Sequence, residues 1–159
     1  MAIAPGIALV TGGTSGIGAA FVRALARRGH DIVLVARTPG PLETMAAELR
    51  SAGRSVEVIA ADLSDHGDTA RVADRLRDGE RPVEILVNNA GFGLRTRLVT
   101  PDLDEHQRAF DVMIRAVLVL GNKEFAGNDC GTPNAALAVA AAVAPPAGTP
   151  STSSTTQTY

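Results

Sequence analysis

The run Thr11-Gly-Gly-Thr-Ser-Gly-Ile-Gly18 carries residue types that can cradle a phosphate. Glycine at 12, 16 and 18 lets the backbone turn tightly and approach a ligand, because no Cβ stands in the way. If a helix opens at this run, its unpaired amide groups and the positive end of its dipole are aimed at the same place, where a pyrophosphate could sit. Arg37 stands nineteen residues beyond Gly18. At about that distance a dinucleotide fold reads the adenosine ribose: an acid accepts the hydroxyls of NAD, and an arginine accommodates the extra phosphate of NADP. Ala36 and Arg37 offer one guanidinium and no acid, so the expected cofactor is NADP(H). Each feature has a plain structural explanation as well. Sharp strand-to-helix turns recruit glycine, and arginine is common as a solvated charge at a strand end.

The elements that would position these residues are legible up to Leu120. Ile7 to Thr11, Asp31 to Ala36, Val56 to Ala60 and Val83 to Asn88 are nearly continuous apolar runs rich in Val and Ile, the pattern of strands covered on both faces. Between them lie amphipathic stretches. Ile17 to Arg28 puts Ile17, Phe21, Val22 and Leu25 on one helical face and stops at Gly29; Pro41 to Ala52 begins on a first-turn proline and stops at Gly53. A third helix is expected from about Asp68 to Arg77. A fourth follows Pro101, with Asp102, Asp104 and Glu105 suited to its positive N-terminal end and Phe110, Ile114, Val117 and Leu118 as its buried stripe. Strand and helix in alternation predict an α/β fold, a Rossmann-like parallel sheet of about four strands, over residues 1–121.

Three motifs in this order, Thr11-Gly-X-X-X-Gly-Ile-Gly18, Asp62-Leu63 after the third strand and Asn88-Asn-Ala-Gly91 after the fourth, resemble the short-chain dehydrogenase/reductase superfamily in its classical branch. The resemblance implies a site made of Gly12, Thr14, Ser15, Gly16, Ile17 and Gly18 in the loop and Arg37 at the second strand. It implies further that Asp62 and Leu63 flank the adenine, and that Asn89, Ala90 and Gly91 line the cofactor at the fourth strand's exit. From the residues alone, the Asn-Asn pair also reads as a turn with side-chain capping. The resemblance covers about the first three quarters of the chain and only the front half of a family member.

That family is an oxidoreductase family, moving hydride between NADP(H) and a carbonyl or alcohol. Its chemistry rests on Tyr-X-X-X-Lys, in which the ammonium one helical turn away lowers the phenol's pKa, on a serine that holds the substrate oxygen, and on an asparagine in the fourth helix. This chain has one tyrosine, Tyr159, and one lysine, Lys123, in the wrong order and far apart, and the asparagine position falls at Met113. No catalytic residue is therefore assigned, and the alternatives are a family enzyme without catalysis or a non-catalytic NADP-binding module or truncated fragment. The strands that should flank the fourth are also missing, which predicts Val83 to Asn88 as an exposed apolar edge and self-association through that strand and the fourth helix.

With 159 residues, 20% of them charged, and a net charge of -2, the chain has the composition of a globular protein with no basic footprint for nucleic acid. Aromatics at 3% leave little for base stacking. Cys130 is the single cysteine, and His30, His66 and His106 lack ligand spacing, so no metal site is expected. The N-terminus has no basic region leading into an apolar run, and the longest apolar stretch, Ala135 to Ala144, is far short of the ~20 residues that span a bilayer. A cytoplasmic protein without membrane contact is expected. Residues 122–159 are rich in Ala, Pro, Ser and Thr, with no charge after Asp129, and read as a disordered tail. The abrupt change after Gly121 suggests a shifted reading frame or recombined end; an Ala/Pro linker to a partner domain has the same composition.

Overall fold

The computed structural model describes residues 5–94 and 103–121. Four parallel strands, β1 (Ile7–Thr11), β2 (Asp31–Ala36), β3 (Val56–Ala60) and β4 (Val83–Val87), form one sheet in the order β3-β2-β1-β4. The chain steps outward from β1 to β2 to β3 and then returns to lay β4 on the other side of β1. The helices that follow β1 and β4 therefore pack on opposite faces, and the crevice beyond the carboxyl ends of the two strands is the switch point where such sheets hold ligands. The four strands and their parallel arrangement agree with expectation. The fourth strand ends one residue early, at Val87, because the amides of Asn89 and Ala90 donate to the Thr11 hydroxyl and not to a neighbouring carbonyl.

Strand alternation sends side chains to two cores. Ala8, Val10, Ile32 and Leu34 meet Ala19, Val22 and Ala26 of α1 (Gly16–Arg27) and Leu42, Met45, Ala46 and Leu49 of α2 (Pro39–Ser51). On the other face Leu9, Val33 and Val35 meet Val72, Ala73 and Leu76 of α3 (His66–Leu76) and Val112, Ala116 and Leu120 of the fourth helix. Val83 and Ile85, although two apart, belong to different cores, since a register shift between Ile7 and Ala8 leaves an extra residue on β4 and reverses its alternation.

The first three helices begin earlier than apolar periodicity suggests. Thr38 precedes α2, which has proline in its first turn, and α3 starts at His66 because the Asp65 carboxylate caps the Asp68 amide at 2.8 Å. Two expected faces need correction. On α1, Val22 is buried, Phe21 and Leu25 are partly buried, and Ile17 is exposed, because the small side chains of Ala19 and Ala26 set the close approach to the sheet.

The fourth helix is α4 (Asp104–Phe110), a π-helical turn (Asp111–Arg115) and α5 (Ala116–Leu120). It buries His106, Ala109, Val112, Ala116 and Leu120, whereas Phe110, Ile114 and Leu118 of the expected stripe are exposed and Val117 is half-buried. The helix carries two apolar stripes, and the inner one, through Val112, Ala116 and Leu120, packs against α3. Asp104 and Glu105 lie in its first turn, where the dipole favours them, with Leu103 in the capping position.

β4 is an edge among the described strands, but its apolar side chains are buried, so the exposed apolar surface expected there lies on the fourth helix instead. The expectations for Pro101, Asp102, Lys123, Cys130, the Ala135 to Ala144 stretch, Tyr159 and the tail from 122 fall outside the described residues. Among the described residues, no helix is long and apolar enough to cross a membrane.

Candidate functional site

A cleft of about 460 Å³ opens at the carboxyl ends of the strands. All twelve expected site residues line it: Gly12, Thr14, Ser15, Gly16, Ile17 and Gly18 on the β1–α1 side, Arg37 after β2, Asp62 and Leu63 after β3, and Asn89, Ala90 and Gly91 after β4. Val35, Ala36, Thr38, Ala61, Phe92 and Val112 complete the wall. The volume is that of an ordinary small-molecule site.

The loop is shaped from within the chain. Gly12 has φ 67° and Gly16 φ 53°, left-handed conformations that glycine adopts without strain. A side chain at Gly18 would strike the Gly12 carbonyl and the Asn89 amide, so the loop, α1 and the β4 exit close on one another at this point. Ser15 is the N-cap of α1, but its hydroxyl makes no capping bond and the first turn holds no acidic residue. By contrast α3 has an aspartate cap and another acid in its first turn. The positive end of α1 thus keeps its amides and dipole for an anion in the cleft.

Thr11 and Asn89 brace the two sides. The Thr11 hydroxyl donates to the Val87 carbonyl at 3.3 Å and accepts from the Asn89 and Ala90 amides, each at 3.0 Å. The Asn89 side-chain amide donates to the Thr11 carbonyl at 3.0 Å and the Gly12 carbonyl at 3.2 Å. Asn89 is therefore spent largely on positioning the loop. Thr11 was missed as a site residue, although a hydroxyl at the last position of a buried strand, directly before the first glycine, is a usable signal.

Asp62 ends β3's exit as the cleft's carboxylate. Its Oδ1 accepts from the Ser64 amide at 2.9 Å and hydroxyl at 2.7 Å, and its Oδ2 lies 3.6 Å from an Arg108 nitrogen. Partial burial pushes its pKa up, but the Ser64 bonds and the nearby charges of Arg37 and Arg108 outweigh this and hold it below the ordinary carboxylate value. Arg115 donates to the Leu63 carbonyl at 3.4 Å and pairs with Asp111 at 2.8 Å, so the inner side of the fourth helix supports this wall too. Arg37 is exposed, with its guanidinium carbon 5.9 Å from the Phe92 ring centroid. Phe92 also went unnoticed in the sequence, as one of only four phenylalanines placed directly after Asn-Asn-Ala-Gly. Met113 is exposed in the π-helical turn and does not line the cleft; its neighbour Val112 does. Among the described residues, no cluster of three metal-ligating side chains occurs.

The sequence model of the short chain dehydrogenase family matches residues 6–125. A curated relative, dehydrogenase/reductase SDR family member 11 of Bos taurus, is 36% identical over 115 residues, which is 71% of this chain and 45% of that protein. Among solved structures, a short-chain dehydrogenase from Sphingobium yanoikuyae in complex with NADPH superposes with TM-score 0.69 at 40% identity, covering 73% of this chain and 46% of that one. The bulky-bulky ketone specific alcohol dehydrogenase from Comamonas testosteroni gives TM-score 0.73 at 35% identity, covering 79% and 51%. The chain thus spans about half the length of the proteins it matches.

Proposed function

We propose, for a chain that belongs to the short-chain dehydrogenase family, that its cleft binds NADP(H) and that the chain does not itself complete the family's reaction. The observation that carries the first part is the gathering of the glycine loop, Arg37 and the exits of β3 and β4 around one cleft, with arginine and no acid at the end of β2. The residues fit the cofactor. The open end of α1 and Gly12, Gly16 and Gly18 suit the pyrophosphate, Arg37 the 2'-phosphate, Asp62 and Leu63 the adenine, and Asn89, Ala90 and Gly91 the remainder. The NADPH complex of the Sphingobium relative supports the same assignment.

Bound NADP(H) supplies a hydride donor or acceptor. Exchange of a proton with a substrate oxygen needs a group of this chain, and that group is what the sequence lacks. Tyr159 and Lys123 do not form Tyr-X-X-X-Lys, and Met113, in the asparagine position, has no proton to relay. The competing reading is the family's full activity on a carbonyl or alcohol, which the likeness to a ketone-specific alcohol dehydrogenase favours. A cytoplasmic setting, and self-association through the outer face of the fourth helix, belong to the same proposal.

Fluorescence titration with NADPH and NADH tests the first part. NADPH should bind more tightly, and Arg37→Ala should weaken it by ~1.5–3 kcal/mol, roughly ten- to a hundred-and-fifty-fold, while leaving NADH unchanged. Equal affinities in the unaltered chain would refute the assignment. Turnover of a ketone panel by rigorously purified chain would refute the absence of catalysis.

A further inference from the structure

The Arg37 guanidinium is not left free at the rim of the cleft. It crosses toward the β4 exit and stands over the Phe92 ring at 5.9 Å, while the Asp62 carboxylate lies near enough to be influenced by its charge. β2 and β4 are separated by β1 in the sheet, so this contact spans the mouth of the cleft. Phe92 is itself fixed: it is half-buried and packed against the core of Leu9, Val35, Leu63 and Val112. One face of a packed, half-buried ring is thus offered to an exposed cation, and a ring face attracts a guanidinium through its quadrupole.

We infer that Phe92 is a positioning residue for Arg37, limiting where the guanidinium stands at the mouth of the cleft and so setting the preference for the phosphorylated cofactor. An arginine free to roam loses most of its rotamer freedom on meeting a phosphate, whereas one already resting on a ring loses less. Asp62 acts on the same cation by charge alone and imposes no plane on it. The ring therefore contributes orientation that the carboxylate does not. This inference rests on the reading of the cleft as an NADP(H) site.

Direct titration of the full chain with NADPH and NADH, using Phe92→Leu, Phe92→Tyr, Arg37→Ala and the Arg37→Ala/Phe92→Leu pair, tests it. Melting curves establish that each variant is folded. Phe92→Leu should lower the NADPH-to-NADH affinity ratio about two- to fivefold, the range of an exposed cation–ring contact, whatever common effect its place in the cleft wall has on both cofactors. Phe92→Tyr, which keeps the ring, should restore the preference, and in the Arg37→Ala background Phe92→Leu should no longer change the ratio. Equal weakening of both cofactors, an unchanged ratio, or an effect that persists without Arg37 would overturn the role of Phe92. A preference abolished by Arg37→Ala but indifferent to Phe92→Leu overturns this inference alone; absence of binding by the unaltered chain overturns the cofactor assignment with it.

Discussion

At the carboxyl ends of the strands, Thr11 takes two amide N–H groups from the β4 exit and Asn89 returns two bonds to the glycine loop. Along the outer face of the fourth helix Phe110, Ile114 and Leu118 stand 60%, 49% and 68% exposed. Of the eight large apolar side chains exposed among the described residues, only Ile17 and Leu94 lie outside that helix and its approach at Leu103. The contrast separates what this sheet can organise unaided from what it leaves unfinished. The cleft is braced by bonds between β1 and the residues following β4 and by the inner side of the fourth helix, and none of these contacts uses the helix's outer stripe. The helix is committed on its inner side only, and its outer apolar stripe is surplus to the packing of the four-stranded unit.

The largest effect should come from breaking the brace on the cleft side. Thr11→Val keeps the shape of the side chain and removes the acceptor for the Asn89 and Ala90 amides. An amide left unpaired costs ~1–3 kcal/mol, so the expected loss is about 2–4 kcal/mol in a denaturant melt, with NADPH affinity reduced as well. A loss below ~0.5 kcal/mol would mean that the two sides of the cleft are held by the sheet and not by this hydroxyl.

A smaller effect is expected from the helix, and it should appear in a different measurement. Phe110→Glu with Leu118→Glu replaces two exposed apolar side chains, so the stability of the isolated chain should change by no more than ~0.5 kcal/mol at each position. Sedimentation velocity should lose any associated species that the unaltered chain forms, because charges on that face carry a desolvation cost into an interface. NADPH affinity should stay the same. If affinity falls with the substitutions, the two regions are coupled and the cleft is not independent of the helix's outer face.

The parts of the molecule differed in how legibly the sequence records them. The strands were legible because burial on both faces leaves continuous runs of Val, Ile and Leu. The cleft was legible because its glycines and Arg37 fall at spacings with a physical reason. Thr11 and Phe92 were not, since their roles depend on β4 lying beside β1 and on a ring crossing to β2, neither of which local pattern reveals. The buried face of the fourth helix was misread because Phe110, Ile114 and Leu118 outweigh Ala109 and Ala116 in any tally of apolar size. Burial followed close packing against α3, which favours a small side chain such as Ala116. α3 was placed two residues late because His66 and Gly67 add nothing to an apolar stripe, while the Asp65 cap fixes the start.

The smallest effect lies where the two regions touch, at Asp62, whose carboxylate faces the cleft and also approaches Arg108 on the fourth helix. Its folded pKa is depressed, so between that value and the ordinary carboxylate value the folded chain binds fewer protons than the unfolded one. The stabilisation it provides is therefore complete above the ordinary carboxylate value of about 4 and is lost as pH falls through the lower folded value. Asp62→Asn keeps an oxygen that can accept both Ser64 bonds and removes only the charge. The side chain is 36% exposed, and screening by solvent limits its charge contribution to well under ~1 kcal/mol. Unaltered chain and variant should differ by a few degrees at most in melting temperature at pH 7, and the gap should close as pH drops below about 4. A gap that persists unchanged into acid would assign the effect to lost geometry at Ser64, and a gap that widens would contradict the direction of the shift. In 0.5 M salt the gap at pH 7 should shrink if Arg37 and Arg108 are its source, since screening acts on the charge pairs and not on the Ser64 bonds.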